Sequence, residues 1–214
     1  MAALASRLTD NPDQPFTILT HELAWTVGVG SHLEPAGFRP ASREAALEGL
    51  AAGQYVLVMP GGDLDAGKSF ARRNEILFGG RTGFAQLAID AHVDIIPFVV
   101  SGAGETLFVV SDGQRLARWL GLPARARMKT LPISISVPWG LSIGGTGMLF
   151  PYFPLPAKMR AAVLEPIHPT EDDDAATLAA RVHEVMAAKL VELTAGRIPI
   201  LGTRWNDLPG RNES

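Results

Sequence analysis

The residues best suited to chemistry in this 214-residue chain are arginines set beside glycine turns. Arg43 stands among strong helix formers, and its guanidinium can bind an oxyanion through two parallel hydrogen bonds. Pro60-Gly61-Gly62 follows the apolar run Tyr55 to Met59. Glycines carry no Cβ, so a substrate can approach the backbone there and the amides can point at a developing negative charge. Arg81 precedes a helical stretch, where positive charge is slightly unfavourable, so it needs a specific partner: Asp63, Glu105 or a ligand. Plainer readings stand beside these, namely a surface ion pair of Arg43 with Glu44 or Glu48 and an ordinary tight turn at 60–62.

A second pattern competes for the same turn. Gly62-Asp63-Leu64-Asp65-Ala66-Gly67-Lys68-Ser69 matches the nucleotide-binding P-loop letter for letter. A working P-loop also needs a later strand ending in an aspartate that completes the magnesium site. Here Ile95 to Val100 runs into Ser101-Gly102, and Ile133 to Val137 runs into Pro138-Trp139. Asp63 and Asp65 would also face the phosphates, so nucleotide binding ranks behind the readings below.

These residues must be positioned by a folded chain, and the composition provides one. Apolar residues make up 47% and charged residues 19%, a globular balance, and the net charge of −3 excludes an overall basic nucleic-acid binder. With no cysteine, disulfides and thiolate metal sites are excluded, and His92, His168 and His183 show no ligand spacing, so no metal is expected. Strand and helix signals alternate, which predicts an α/β fold with a mostly parallel central sheet covered by helices on both faces. Strands are expected at Phe16 to Leu19, Tyr55 to Met59 in the middle of the sheet, Ile95 to Val100, Ile133 to Val137 and Arg160 to Leu164. Helices are expected from a Ser42 cap through Leu50, over Thr82 to Ala91 and Gln114 to Leu120, and from a Thr170 cap to Gly196. Residues 1–204 read as one domain and 205–214 as a polar tail.

Taken in order, Gly37 with Arg43 six residues on, Met59-Pro60-Gly61-Gly62, Arg81-Thr82-Gly83-Phe84-Ala85 and Ile95-Ile96-Pro97-Phe98-Val99 resemble the phospholipid and glycerol acyltransferase superfamily, near its diacylglycerol acyltransferase branch. The likeness runs over roughly residues 16 to 195, with Met59 where that family usually has phenylalanine. It implies substrate binding at Arg43, Pro60, Gly61, Gly62, Asp63 and Arg81, an acyl-CoA or acyl carrier protein donor, a glycerolipid-type hydroxyl acceptor and no cofactor. The family's catalytic block is H-x-x-x-x-D, a histidine base oriented by an aspartate. Upstream of the glycine turn stand only His21 and His32, with Thr26 and Gly37 five residues on, so no catalytic residue is assigned in this chain. By the family's spacing the block would end just before Met1, with Met1 to Leu8 as the following helix. A late start or a catalytically silent lipid-binding relative would each explain this.

Gln114 to Lys129 carries Arg115, Arg118, Arg125, Arg127 and Lys129 without an acidic residue, interleaved with Leu116, Trp119 and Leu120. Leu131 to Pro156 has no charge at all, but its five prolines and four glycines rule out a spanning helix. A basic amphipathic piece beside an apolar loop suits contact with an anionic membrane surface through Arg115, Arg118, Trp119, Arg125 and Arg127. No secretion signal is read at Met1 to Arg7, so a cytoplasmic location, peripheral to the inner face of the membrane, is expected.

Overall fold

The computed structural model describes residues 15–20, 25, 29–121, 130–144 and 153–202. The expectations for Met1 to Leu8, His21, Arg125, Arg127 and the tail 205–214 fall outside these residues. The chain divides into two units, one comprising 1–62, 80–97 and 165–181, the other 63–79, 98–164 and 182–214.

In the first unit, strands β1 (Phe16–Thr20), β2 (Phe38–Pro40) and β3 (Tyr55–Leu57) form a parallel sheet in the order β2-β1-β3, with Ile18 opposite both Phe38 and Leu57. A short helix, α1 (Val29–Leu33), leads toward β2. Gly37, at φ +85°, makes the turn into β2, and a Cβ there would meet the Phe16 carbonyl oxygen. Helix α2 (Arg43–Ala51) starts where the sequence places it, because the Ser42 hydroxyl accepts from the Ala45 amide at 3.1 Å. It packs on β1 through buried Ala46 and Gly49. A Cβ on Gly49 would lie 2.9 Å from Thr17 Oγ1, so glycine permits the close helix-to-strand approach. Helix α4 (Gly83–Ala91) buries Ala85, Leu87 and Ala88, and ends on His92, which adopts φ +50°. α3 (Gly62–Ala66) is a short helix that starts at the second glycine and, from Asp63 on, belongs to the second unit.

The second unit is antiparallel. β4 (Phe98–Ser101) pairs with β8 (Arg160–Val163), and β5 (Phe108–Ser111), β6 (Ile133–Ser136) and β7 (Gly140–Ile143) form a meander in the order β5-β6-β7. Helix α5 (Gln114–Trp119) lies between β5 and β6 in sequence and buries Ala117. Its core holds Val99, Leu107, Val109 and, from helix α6 (Ala175–Thr194), Val182 and Leu190. Glu105, 1% exposed, receives Arg197 Nε and Nη2 at 3.0 and 2.8 Å and the Ile200 amide at 2.6 Å. Burial pushes the Glu105 carboxyl up, but the bonds from Arg197 and Ile200 and the nearby positive charges outweigh it and hold the group below its usual range.

The fold is therefore mixed α/β, with a correction to its sheet. Parallel pairing among the described residues is confined to β1, β2 and β3, and the other ladders are antiparallel. β3 occupies an edge of its three-stranded sheet and is half-buried, because an apolar run does not by itself fix a strand's place in the sheet. Ile95 makes only an isolated bridge to Ile167, and β4 begins at Phe98, since Pro97 has no amide hydrogen to give a ladder. The last helix starts at Ala175, capped by Asp174, whose carboxylate accepts from the Thr177 amide at 2.7 Å. Thr170 instead gives its amide and hydroxyl to Asp173, closing a turn one step earlier.

Candidate functional site

The turn after β3 is closed by the Gly62 amide, which donates to the Met59 carbonyl at 3.1 Å. That amide is engaged within the turn itself. Arg81 supplies the positive charge. Its Nη1 donates to the Pro60 carbonyl at 3.2 Å and makes a still shorter bond to the Gly61 carbonyl. A Cβ on Gly62 would stand 2.8 Å from the same Nη1, so the absence of a side chain at 62 is what lets the guanidinium lie over the turn. Pro60, Gly61, Gly62 and Arg81 thus form one assembly: a tight turn with two carbonyls gathered by a cation, directly before α4. The partner that the sequence leaves open for Arg81 includes main-chain oxygen.

Arg43 is placed elsewhere. Its Nη2 meets Asp90 Oδ2 at 2.7 Å, near the C-terminal end of α4, whereas Arg81 precedes the N-terminal end. At a rise of about 1.5 Å per residue, roughly 10 Å of helix separates Asp90 from Gly83, two residues after Arg81. Asp90 also takes Gln86 Nε2 at 2.8 Å, and the bonds from Gln86 and then Arg43 hold its carboxyl below the usual range. The sequence gives no signal for Asp90 as the partner, because the pairing joins two helices that only tertiary packing brings together.

Asp63 lies in α3, where its main-chain carbonyl accepts from the Gly67 amide at 2.8 Å and from Thr130 Oγ1 at 3.2 Å. The P-loop lysine is engaged as well. Lys68 Nζ donates to Asp65 Oδ1 at 2.9 Å and to the Glu75 carbonyl at 2.6 Å, and Asp65 Oδ1 also takes the Leu77 amide. An aspartate inside the loop therefore holds the lysine that would have to reach a phosphate.

The spacing H-x-x-x-x-D does occur late in the chain, from His168 to Asp173. Its two residues have other partners: His168 Nδ1 lies 2.6 Å from Asp94 Oδ1 on an exposed surface, and Asp173 Oδ2 takes Thr170 and Arg181. Arg115, Arg118 and Trp119 project from the exposed side of α5, with Trp119 81% exposed. Among the described residues no group of acidic and histidine side chains is placed to hold a metal, and no helix is long and apolar enough to cross a membrane.

Residues 1–101 match the Acyltransferase family. An uncharacterized protein of Mycobacterium leprae is 32% identical over 177 residues, covering 79% of this chain and 45% of that protein. An uncharacterized protein of Mycobacterium tuberculosis H37Rv shows the same identity over 79% of this chain and 46% of its own length. The human DGAT1/2-independent enzyme synthesizing storage lipids is 44% identical over 78 residues, 36% of this chain and 24% of that enzyme. The chain thus spans less than half the length of these curated relatives. No solved structure matches it.

Proposed function

We propose that this chain forms the acceptor-binding part of an acyltransferase that moves a fatty acyl group from acyl-CoA or acyl carrier protein to a glycerolipid-type hydroxyl at a membrane surface. The observation that carries this is the Arg81 clamp on Pro60-Gly61-Gly62, which sets a fixed guanidinium over the glycine turn. A guanidinium held in this way attracts a phosphate or an acyl oxygen without having to be ordered during binding. Asp63 follows the turn directly in sequence, and Arg43 steadies α4 from its far end through Asp90. Residues 1–204 act in this reading as one acyltransferase-like domain, peripheral to the cytoplasmic face of the membrane.

The general base of such a reaction would be the histidine of an H-x-x-x-x-D block, which is not found upstream of the glycine turn in this sequence. That observation keeps a second reading in view, a catalytically silent relative that binds lipid through the same turn. Transfer of labelled acyl groups from acyl-CoA to lysophosphatidate or monoacylglycerol separates the two. Turnover that falls at least about 10-fold in Arg81→Ala, with partial recovery in Arg81→Lys, supports transfer. Lipid binding that depends on Arg81 without turnover supports the silent relative. Magnesium-dependent ATP or GTP binding lost in Lys68→Ala would overturn both.

A further inference from the structure

The meander β5-β6-β7 is turned inside out. Along β6 the serines point inward: Ser134 is fully buried and Ser136 nearly so, while Ile135 between them is 48% exposed. Ser134 faces Ser142 across the ladder, with the two hydroxyl oxygens 3.2 Å apart. Alternation obliges the opposite face to carry the aliphatic set. Phe108, Ile135 and Leu141 form one cross-strand row, and Val137 with its bridge partner Phe153 extends it. Leu141 is 68% and Phe153 72% exposed. Large side chains on this scale are costly in water, and a contiguous apolar patch of this kind marks an interaction surface.

The charge pattern selects the occupant. Residues 113–164 contain seven of the chain's 19 Lys and Arg and none of its 22 Asp and Glu. A second copy of this chain would bring its own cations against these in a two-fold contact, which disfavours self-association. An anionic bilayer offers hydrocarbon to the aliphatic row and phosphate to the arginines together. Trp119, at the end of α5 beside Arg115 and Arg118, has the amphipathic ring suited to the headgroup level.

We propose that the aliphatic face of the β5-β6-β7 sheet is the surface by which this protein enters an anionic lipid bilayer. The inference rests on the lipid-acyl reading above and assigns its membrane contact to a sheet face in addition to the basic helix. The test is co-sedimentation of the 214-residue chain with vesicles of phosphatidylcholine alone and of phosphatidylcholine mixed with phosphatidylglycerol. Binding should require the anionic lipid and weaken with salt. Ile135→Ser combined with Leu141→Ser should lower the apparent affinity at least about 10-fold. Arg115→Gln combined with Arg118→Gln should lower it by about 5-fold per charge.

Both serine sites are exposed, so the variants should unfold at the wild-type temperature. If they do not fold, quenching of Trp119 in the otherwise unchanged chain by lipids brominated in their acyl chains decides instead, with Trp119→Phe as its control. Absence of vesicle binding, equal binding by the serine variant, or a wild-type dimer that the serine variant dissociates would each overturn the proposal. Acyl transfer to a detergent-dispersed acceptor keeps the two readings apart. Transfer without vesicle binding removes the sheet face alone, and vesicle binding without transfer removes the catalytic reading alone.

Discussion

The two sheets of this chain solve the same problem in opposite ways. In β2-β1-β3 the buried position opposite Phe38 and Leu57 is Ile18, and Gly49 lets a helix close over the neighbouring Thr17. In β5-β6-β7 the buried positions are serines that face each other, and the aliphatic side chains look outward. The first sheet gains stability from its apolar face. The second unit takes its anchorage from other elements, notably the buried Glu105 and Arg197 pair. A strand's alternation therefore states that it has two different faces, while the surroundings decide which one the protein covers.

The largest test of this contrast is the ion pair. Glu105→Ala should destabilise the protein by about 3–5 kcal/mol, because Arg197 and the Ile200 amide would lose their buried acceptor. Urea unfolding measures this, and a loss near zero would mean that the second unit is held by its sheet after all. The pair also carries a pH signature. Since the folded carboxyl lies below its ordinary range, the stabilisation is complete above the unfolded value of about 4.3 and is lost as pH falls through the folded value. The acid limb of the stability curve should accordingly be flatter in Glu105→Gln.

The next test compares the faces directly. Ile18→Ser should cost about 2–4 kcal/mol, whereas Leu141→Ser should change stability in vesicle-free buffer by no more than about 0.5 kcal/mol. Equal losses would show that the aliphatic face is covered in solution. Gly37→Ala should cost about 1–3 kcal/mol in thermal unfolding, since φ +85° and the Phe16 carbonyl both oppose a side chain. A neutral result would mean that the turn into β2 relaxes freely. The smallest effect is expected at His92, where glycine suits φ +50° and should stabilise by about 0.5 kcal/mol. Destabilisation there would indicate a role for the imidazole beyond ending α4.

Much of the local structure was legible because it depends on neighbours in sequence. The Ser42 cap, the glycine turn at 60–62 and the α4 face of Leu87 and Ala88 all follow from short-range chemistry. The sheet arrangement was not legible, since strand partners such as β4 and β8 are some sixty residues apart and their direction is set by packing. The competition between Thr170 and Asp174 for the helix start illustrates a local failure: several capping residues stand together, and hydrogen bonds that the one-letter pattern does not rank decide among them. At the site, the glycines and Arg81 could be singled out by type, but their relation could not. Arg81 binds the turn's own carbonyls, and Arg43 binds a carboxylate on a second helix.

The guanidinium of Arg81 occupies the space that a side chain at position 62 would need. Those two positions consequently form an epistatic pair. In the parent chain Gly62→Ala must displace the cation as well as strain a backbone at φ +50°, whereas in an Arg81→Ala background only the strain remains. Two motifs that look independent along the sequence are thus a single unit of selection. Arg81 can be lost while Gly62 stays, whereas a side chain at 62 is opposed for as long as the guanidinium lies over the turn.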